Sequence, residues 1–168
     1  CFTNPAVVPV ITKRAIDWIK SDPGARIISI SQGDFRGLCR CSRCVAAEGK
    51  YNWSGMILRL VNQVAAEIEK YDPQIRVSTL AYNWSREPPK GVVARRNVLI
   101  RYAPISACCY HAYDDDECER NTSYGSYKML VDWANISQRV WVWSYAMPFD
   151  DLHPYPMLRC LSRNFKRM

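Results

Sequence analysis

Apolar residues recur along the chain with two different periods, one helical and one extended. Up to Asp22-Pro23-Gly24 they follow a helical period, which predicts a helix with Asn4 as its N-cap and Pro5 as its first residue. The helical period returns at 56–71 and 127–136, which predicts two more helices. A Pro-rich loop and a short segment at 157–161 follow at the end of the sequence.

Four short runs rich in β-branched and aromatic residues lie between these helices. They cover 26–31, 75–82, 97–102 and 140–145, and two long polar loops span 32–53 and 103–121. Strands that alternate with helices pair in parallel through right-handed crossovers. The pattern therefore predicts parallel neighbours in chain order.

The predicted elements define an α/β fold class. Residues 1–168 contain no repeat and no low-complexity linker, which indicates a single domain. Four strands are too few to close a (β/α)8 barrel, which needs eight strands and about 250 residues. The chain is therefore either a small open sheet or a fragment of a larger TIM-type barrel.

Composition excludes two classes of partner. The net charge of +7 comes from scattered basic residues without a nucleic-acid-binding motif, so we expect no nucleic acid. No apolar run approaches the roughly 20 residues of a membrane span. Four Asn-x-Ser sequons, together with eight cysteines, fit a secreted or extracellular protein. The sequons begin at Asn52, Asn83, Asn121 and Asn135.

Polar and aromatic side chains follow the predicted strands. Gln32 and Asp34 follow the first strand, Tyr82 and Asn83 the second, and Tyr145 ends the fourth. Sites in parallel α/β folds lie at the carboxyl ends of strands, although loops are polar by default. Asp34 is the best catalytic candidate because it is a carboxylate that lies just past the end of a predicted strand. The alternative is that Asp34 only caps its loop.

Aromatic residues supply the second part of this pattern. In the run at 140–145 the extended period sends Trp141, Trp143 and Tyr145 to one side. Sugar rings pack their C–H faces on such rings, but core packing is the ordinary role of aromatic residues. Tyr82, Trp143 and Tyr145 are therefore candidate substrate-binding residues, with Gln32 and Asn83 beside them.

Three cysteines, Cys39, Cys41 and Cys44, lie within six positions. Thiolates are good Zn²⁺ ligands, and a fourth ligand can come from the second loop. The same residues can instead form disulfides. Both alternatives predict a structural role that joins two loops, and we expect no cofactor for catalysis. The candidates in the second loop are Cys108, Cys109, His111 and Cys118.

Several short motifs together resemble a known family. They include Ser29-Ile30-Ser31-Gln32-Gly33-Asp34 with Cys39-x-Cys41-x-x-Cys44, Leu80-Ala81-Tyr82, Pro88-Pro89, residues 97–101, Cys108-Cys109 with His111 and Cys118, and Val142-Trp143-x-Tyr145. Their order and spacing resemble the domain-of-unknown-function 4838 family over nearly the whole chain. Gly33 and Ser144 depart from the pattern, where Asn and Asp are expected.

The resemblance implies a TIM-barrel glycosidase of the glycoside hydrolase family 163 type. That family is described as endo-β-N-acetylglucosaminidases acting on complex N-glycans. We therefore expect a glycan substrate and the remaining part of the same barrel as partners. Two alternatives stay open. One is a non-catalytic carbohydrate-binding barrel, which Ser144 favours, and the other is a cysteine-rich zinc-binding interaction module.

Overall fold

A four-stranded parallel sheet forms the centre of the protein. In this computed structural model, residues 1–34, 38–145 and 156–168 are described. The strands lie in the order β1-β2-β3-β4, and each neighbouring pair is parallel, as the sequence predicts. Their bounds are Ile27–Ser29 for β1, Arg76–Tyr82 for β2, Val98–Ala103 for β3 and Val140–Val142 for β4.

In the described part of the chain, five helices accompany the sheet. They are α1 (Val7–Ser21), α2 (Ser42–Tyr71), α3 (Glu119–Tyr124), α4 (Ser126–Asn135) and α5 (Leu158–Arg167), with a 3-10 turn at Asn83–Ser85. Apolar side chains of α1, α2 and α4 form one core with the sheet. None of the described helices combines the length and the hydropathy needed to cross a membrane.

The core covers one face of the sheet. Side chains alternate between the two faces of a strand, so Val77, Thr79 and Ala81 share a face. Register places Val77 beside Ile28 and Val98, and all three pack against the helices. The opposite face, here called the open face, is turned away from this core. Its side chains include Ser29, Leu80, Arg101 and Trp141.

Several element boundaries differ from those predicted. Helix α1 begins at Val7, because the Asn4 Oδ1 atom accepts the Ala6 N–H at 3.1 Å and completes a turn first. Strand β4 ends at Val142, earlier than the predicted 145. Helix α3 starts inside the predicted loop 103–121, and α5 extends beyond 161. The predicted Pro-rich loop lies mostly outside the described residues.

Helix α2 shows the largest difference from prediction. It begins at Ser42, inside the predicted loop 32–53, and is broken at Asn52, which has φ 56° and ψ −178°. The Asn52 Oδ1 atom accepts the Gly55 N–H at 3.0 Å and therefore caps the second half of the helix. Before Ser54 only Cys44 of this helix is buried, so its first half lacks the apolar period that reveals a helix.

Candidate functional site

A cavity of about 340 Å³ opens at the carboxyl edge of the sheet. It lies where β2 and β3 end and where the chain continues past β1 and β4. This is the edge at which parallel α/β folds place their sites. The lining side chains are those of Asp34, Leu80, Tyr82, Ala103, Ile105, Trp143 and Tyr145.

Strand geometry brings the aromatic residues together. Tyr82 is the last residue of β2. The Trp143 N–H donates to the Tyr102 carbonyl at 2.8 Å, which continues the ladder one residue past β4. Alternation then directs Trp141 and Trp143 away from the core that receives Val142, and both tryptophans are 52% exposed. An exposed ring at a cavity wall can serve as a stacking surface.

Asp34 lies on the exposed loop that follows β1. Among the described residues that line the cavity, it is the sole carboxylate. Glu48, the next carboxylate after Asp34 along the chain, lies 3.5 Å from the Arg40 guanidinium as an ion pair outside the cavity. The structure thus brings Asp34 to the same cavity as Tyr82 and Tyr145.

Tyr145 is partly buried in this cavity wall. Burial raises the pKa of its phenol to about 12, with smaller contributions from Tyr82, Tyr124 and the negative charge of Asp34. The phenol therefore keeps its proton over the physiological pH range. A neutral phenol can both donate and accept a hydrogen bond to a ligand.

Gln32 and Asn83 hold the loops behind the cavity and do not line it. The Gln32 Nε2 group donates to Ser85 Oγ at 2.6 Å and to the Tyr82 carbonyl at 3.2 Å. These bonds fasten the loop after β1 to the 3-10 turn after β2. Asn83 begins that turn with φ 51°, a left-handed conformation that asparagine tolerates. Both residues therefore position the loops that carry Asp34 and Tyr82.

Sequence patterns missed the apolar part of the cavity. Leu80, Ala103 and Ile105 line it without any polar group that could have singled them out. Ser144, where the resemblance leads us to expect Asp, donates to the Met157 sulfur at 3.5 Å and does not line the cavity. Position 144 therefore contributes no carboxylate to the cavity.

Four thiols meet near the start of α2. The sulfurs of Cys1, Cys39, Cys41 and Cys44 all lie within 4.8 Å of one another, a geometry that suits a metal ion. Cys1 is the member that sequence patterns missed, because 37 residues separate it from Cys39. Only the packing of the chain's first residues against α2 brings it there. We call these residues the four-cysteine group.

Backbone amides influence the thiols of this group. The N–H groups of Cys44 and Arg43, with the neighbouring thiols of Cys39 and Cys44, lower the pKa of Cys41 to about 7. The Cys41 N–H acts to lower the pKa of Cys39, but the thiols of Cys41 and Cys44 and burial outweigh it, so that pKa is raised. Cys41 is thus the thiol of the pair that ionises first.

A second group contains Cys108, His111 and Cys118, whose ligand atoms also lie within 4.8 Å of one another. The Cys108 sulfur is 3.3 Å from His111 Nδ1. The two loops were predicted to share one site, but the described residues form two separate groups, and Cys109 belongs to neither. All eight cysteines lie in the described part of the chain and are free, so the predicted disulfide network is absent there.

Comparisons with known proteins give a family. Neither the curated proteins nor the solved structures contain a match to this chain. One family profile matches the whole of residues 1–168, with the description "Domain of unknown function (DUF4838)". The match agrees with the motifs around Asp34, the cysteines and Tyr145. The chain therefore belongs to the DUF4838 family.

Proposed function

We propose that this chain is part of a glycoside hydrolase-like barrel that acts on glycans containing N-acetylhexosamine. The observation that carries the proposal is the cavity at the carboxyl edge, where one carboxylate meets three aromatic rings. The aromatic rings belong to Tyr82, Trp143 and Tyr145. The proposed reaction is of the endo-β-N-acetylglucosaminidase type.

The aromatic rings support a sugar ligand. A pyranose ring has apolar C–H faces and equatorial hydroxyl groups, so it binds well to a ring surface with polar groups at its margin. Trp143 offers the exposed surface, and Tyr82 and Tyr145 offer phenols. Leu80 and Ile105 add apolar contacts. A volume of about 340 Å³ is within the usual range for small-ligand sites.

The described lining of the cavity has one carboxylate, and this supports the proposal of an N-acetylated sugar. Most glycosidases use two carboxyl groups, but in substrate-assisted enzymes the acetamido group of the sugar is the nucleophile. Its carbonyl oxygen bonds to the anomeric carbon while the glycosidic oxygen leaves with a proton, and water then opens the new ring. Asp34 would transfer that proton or orient the acetamido group.

The open face of the sheet is evidence for the proposal that the chain is part of a larger barrel. Parallel sheets normally have both faces covered, and in a barrel the second face is turned inward. Here Arg101 and Trp141 lie side by side on the open face, outside the core. The Arg101 guanidinium donates to Ser29 Oγ at 2.8 Å across this face. We propose that further strands of the same protein complete the barrel over these side chains.

A secreted location is also part of the proposal. Asn135 is exposed at the end of α4, so its sequon is accessible to glycosylation. Asn121 is 2% exposed, and its amide donates to the Ala112 carbonyl at 2.7 Å, so that sequon is closed in the folded protein. We expect a glycan at Asn135 and none at Asn121 in protein that has passed through a glycosylating secretory pathway.

Glycan release tests the proposal. The complete protein, including the rest of its barrel, is incubated with a glycoprotein that carries complex N-glycans, and mass spectrometry measures the freed glycan. Asp34→Asn keeps the shape of the side chain but removes its proton transfer, so we expect turnover to fall about 100-fold or more. Glycan binding should change far less, because an amide still forms hydrogen bonds.

Asp116→Asn is the matched control, since Asp116 is exposed and lies outside the cavity. It should release glycan at the wild-type rate. Unchanged turnover in Asp34→Asn would exclude the catalytic role. Binding of the glycan by the wild type without any release would instead identify a carbohydrate-binding barrel, the alternative that Ser144 favours.

A further inference from the structure

The four-cysteine group has the dimensions of a zinc site. Zinc–sulfur bonds of about 2.3 Å place the sulfurs of a tetrahedral site about 3.8 Å apart. The Cys1 sulfur lies 3.8 Å from that of Cys41 and 3.5 Å from that of Cys44. A disulfide requires about 2.05 Å between sulfurs, so these pairs are not bonded. We propose that Cys1, Cys39, Cys41 and Cys44 bind one structural Zn²⁺ through four thiolates.

Local structure presents the four sulfurs from two segments. Cys41 is the N-cap of α2, and Cys44 is buried in its first turn. Cys1 comes from the segment before α1, in which the partly buried Phe2 packs against the core. The Thr3 hydroxyl lies 3.2 Å from the Cys44 sulfur and so ties the same segment to α2. The metal therefore cross-links the start of the chain to the start of α2.

The surroundings suit a negatively charged centre. One zinc ion with four thiolates has a net negative charge. It lies at the N-terminus of α2, the positive end of the helix dipole, and the backbone N–H groups of Arg43 and Cys44 point to the Cys41 sulfur. The side chains of Arg40 and Arg43 are cations in the same segment. No acidic side chain belongs to the described four-cysteine group.

The number of ligands defines the role of the ion. Four protein ligands close the coordination shell and leave no position for water or substrate, which is the mark of a structural site. The ion would fix Cys39 and the start of α2, and Cys39 follows Asp34 by five positions in the sequence. The second group has three ligands in the described part of the chain, and we do not extend the proposal to it.

Metal analysis tests the site without reference to any glycan. The protein is purified with reductant and without chelator, and zinc per chain is measured by mass spectrometry of the metal. We expect Cys41→Ser to bind one zinc ion fewer than the wild type. Cys109→Ser is the matched control and should keep the wild-type content, because Cys109 lies outside both groups. Equal zinc in Cys41→Ser and the wild type would overturn the proposal.

Cobalt keeps the proposal testable if Cys41→Ser fails to fold. In His111→Ala, which breaks the second group, added Co²⁺ should give the visible spectrum of a tetrahedral thiolate site and saturate at one ion per chain. Cys1→Ser removes an exposed sulfur, so it should fold and should lower the sulfur-to-cobalt absorption in proportion to the lost bond. No tetrahedral spectrum in His111→Ala, or an unchanged spectrum in Cys1→Ser, would contradict the four-thiolate site.

Discussion

At the scale of single residues, Trp141 and Trp143 form a matched pair that can distinguish contact with sugar from a role in packing. Trp141 and Trp143 are each 52% exposed and point to the same side of the chain, but only Trp143 lines the cavity. Trp143→Ala should weaken glycan binding about fivefold, because one aromatic contact contributes about 1 kcal/mol. Isothermal titration of the intact protein with an N-acetylglucosamine oligosaccharide measures the change.

Trp141→Ala is the control for that experiment. It removes an indole of equal exposure from the open face, yet it leaves the cavity lining intact. Its glycan affinity should stay at the wild-type level. An equal loss in both variants would show that the indoles act through the sheet and not through contact with sugar.

Two phenols of the same region predict a dependence of stability on alkaline pH. Burial raises the pKa of Tyr102 far above its ordinary value of 10, and burial raises that of Tyr145 to about 12. The unfolded chain loses these protons near pH 10, while the folded protein retains them. The contribution to stability is therefore full below pH 10 and is lost as the pH rises toward 12.

The urea midpoint of the wild type should accordingly decrease between about pH 9 and 11. The decrease should be smaller in Tyr145→Phe, because this variant lacks one of the two phenols. Near-ultraviolet absorbance provides a second measurement. At about pH 11 the folded protein should keep at least two tyrosines protonated. Titration of every tyrosine near pH 10 would show that the phenols of Tyr145 and Tyr102 are not desolvated in the folded protein.

At the scale of elements, two glycines of α2 have opposite effects. A Cβ atom at Gly55 would lie 2.9 Å from the Tyr51 Cβ and 3.2 Å from the Pro89 Cβ, so Gly55 permits a close approach at the break in the helix. Gly55→Ala should lower the free energy of unfolding by about 1–3 kcal/mol through overpacking. Chemical denaturation followed by circular dichroism measures the effect.

Gly49 is the matched position in the first half of the same helix. An added Cβ there meets nothing within 4 Å. Gly49→Ala should therefore stabilise the protein by up to about 1 kcal/mol, the difference in helix propensity between glycine and alanine. Destabilisation by Gly49→Ala would show that residues 42–51 do not form the helix described.

Sequence patterns predicted most elements because their periods coincide with burial. The second half of α2 buries Val61, Val64 and Ile68 on the face that meets the sheet, and this is the pattern that the helical period detects. The first half could not be predicted, since its side chains are mostly exposed. Strand β4 was predicted too long because the alternation of aromatic residues continues to Tyr145, whereas the strand ends at Val142 and its ladder at Trp143.

At the scale of the whole molecule, long-range contacts set the limit of prediction. Parallel order places every strand end on one edge, so the meeting of Asp34, Tyr82 and Tyr145 could be predicted. The place of Cys1 in the four-cysteine group could not, because it depends on how α1 packs on α2 and returns Cys1 to Cys44. Cys108 and Cys118, which were expected beside these thiols, belong to the second group.

We propose that the carboxyl edge of this sheet binds sugar, and an NMR titration can locate such binding at single residues. An N-acetylglucosamine oligosaccharide is added to the isotopically labelled protein, and chemical shift changes are mapped on the structure. We predict the largest changes at Asp34, Tyr82, Ala103 and the Trp143 indole. Changes confined to the separate groove along α1, around Thr12 and Lys13, or no changes at saturating oligosaccharide, would contradict the claim.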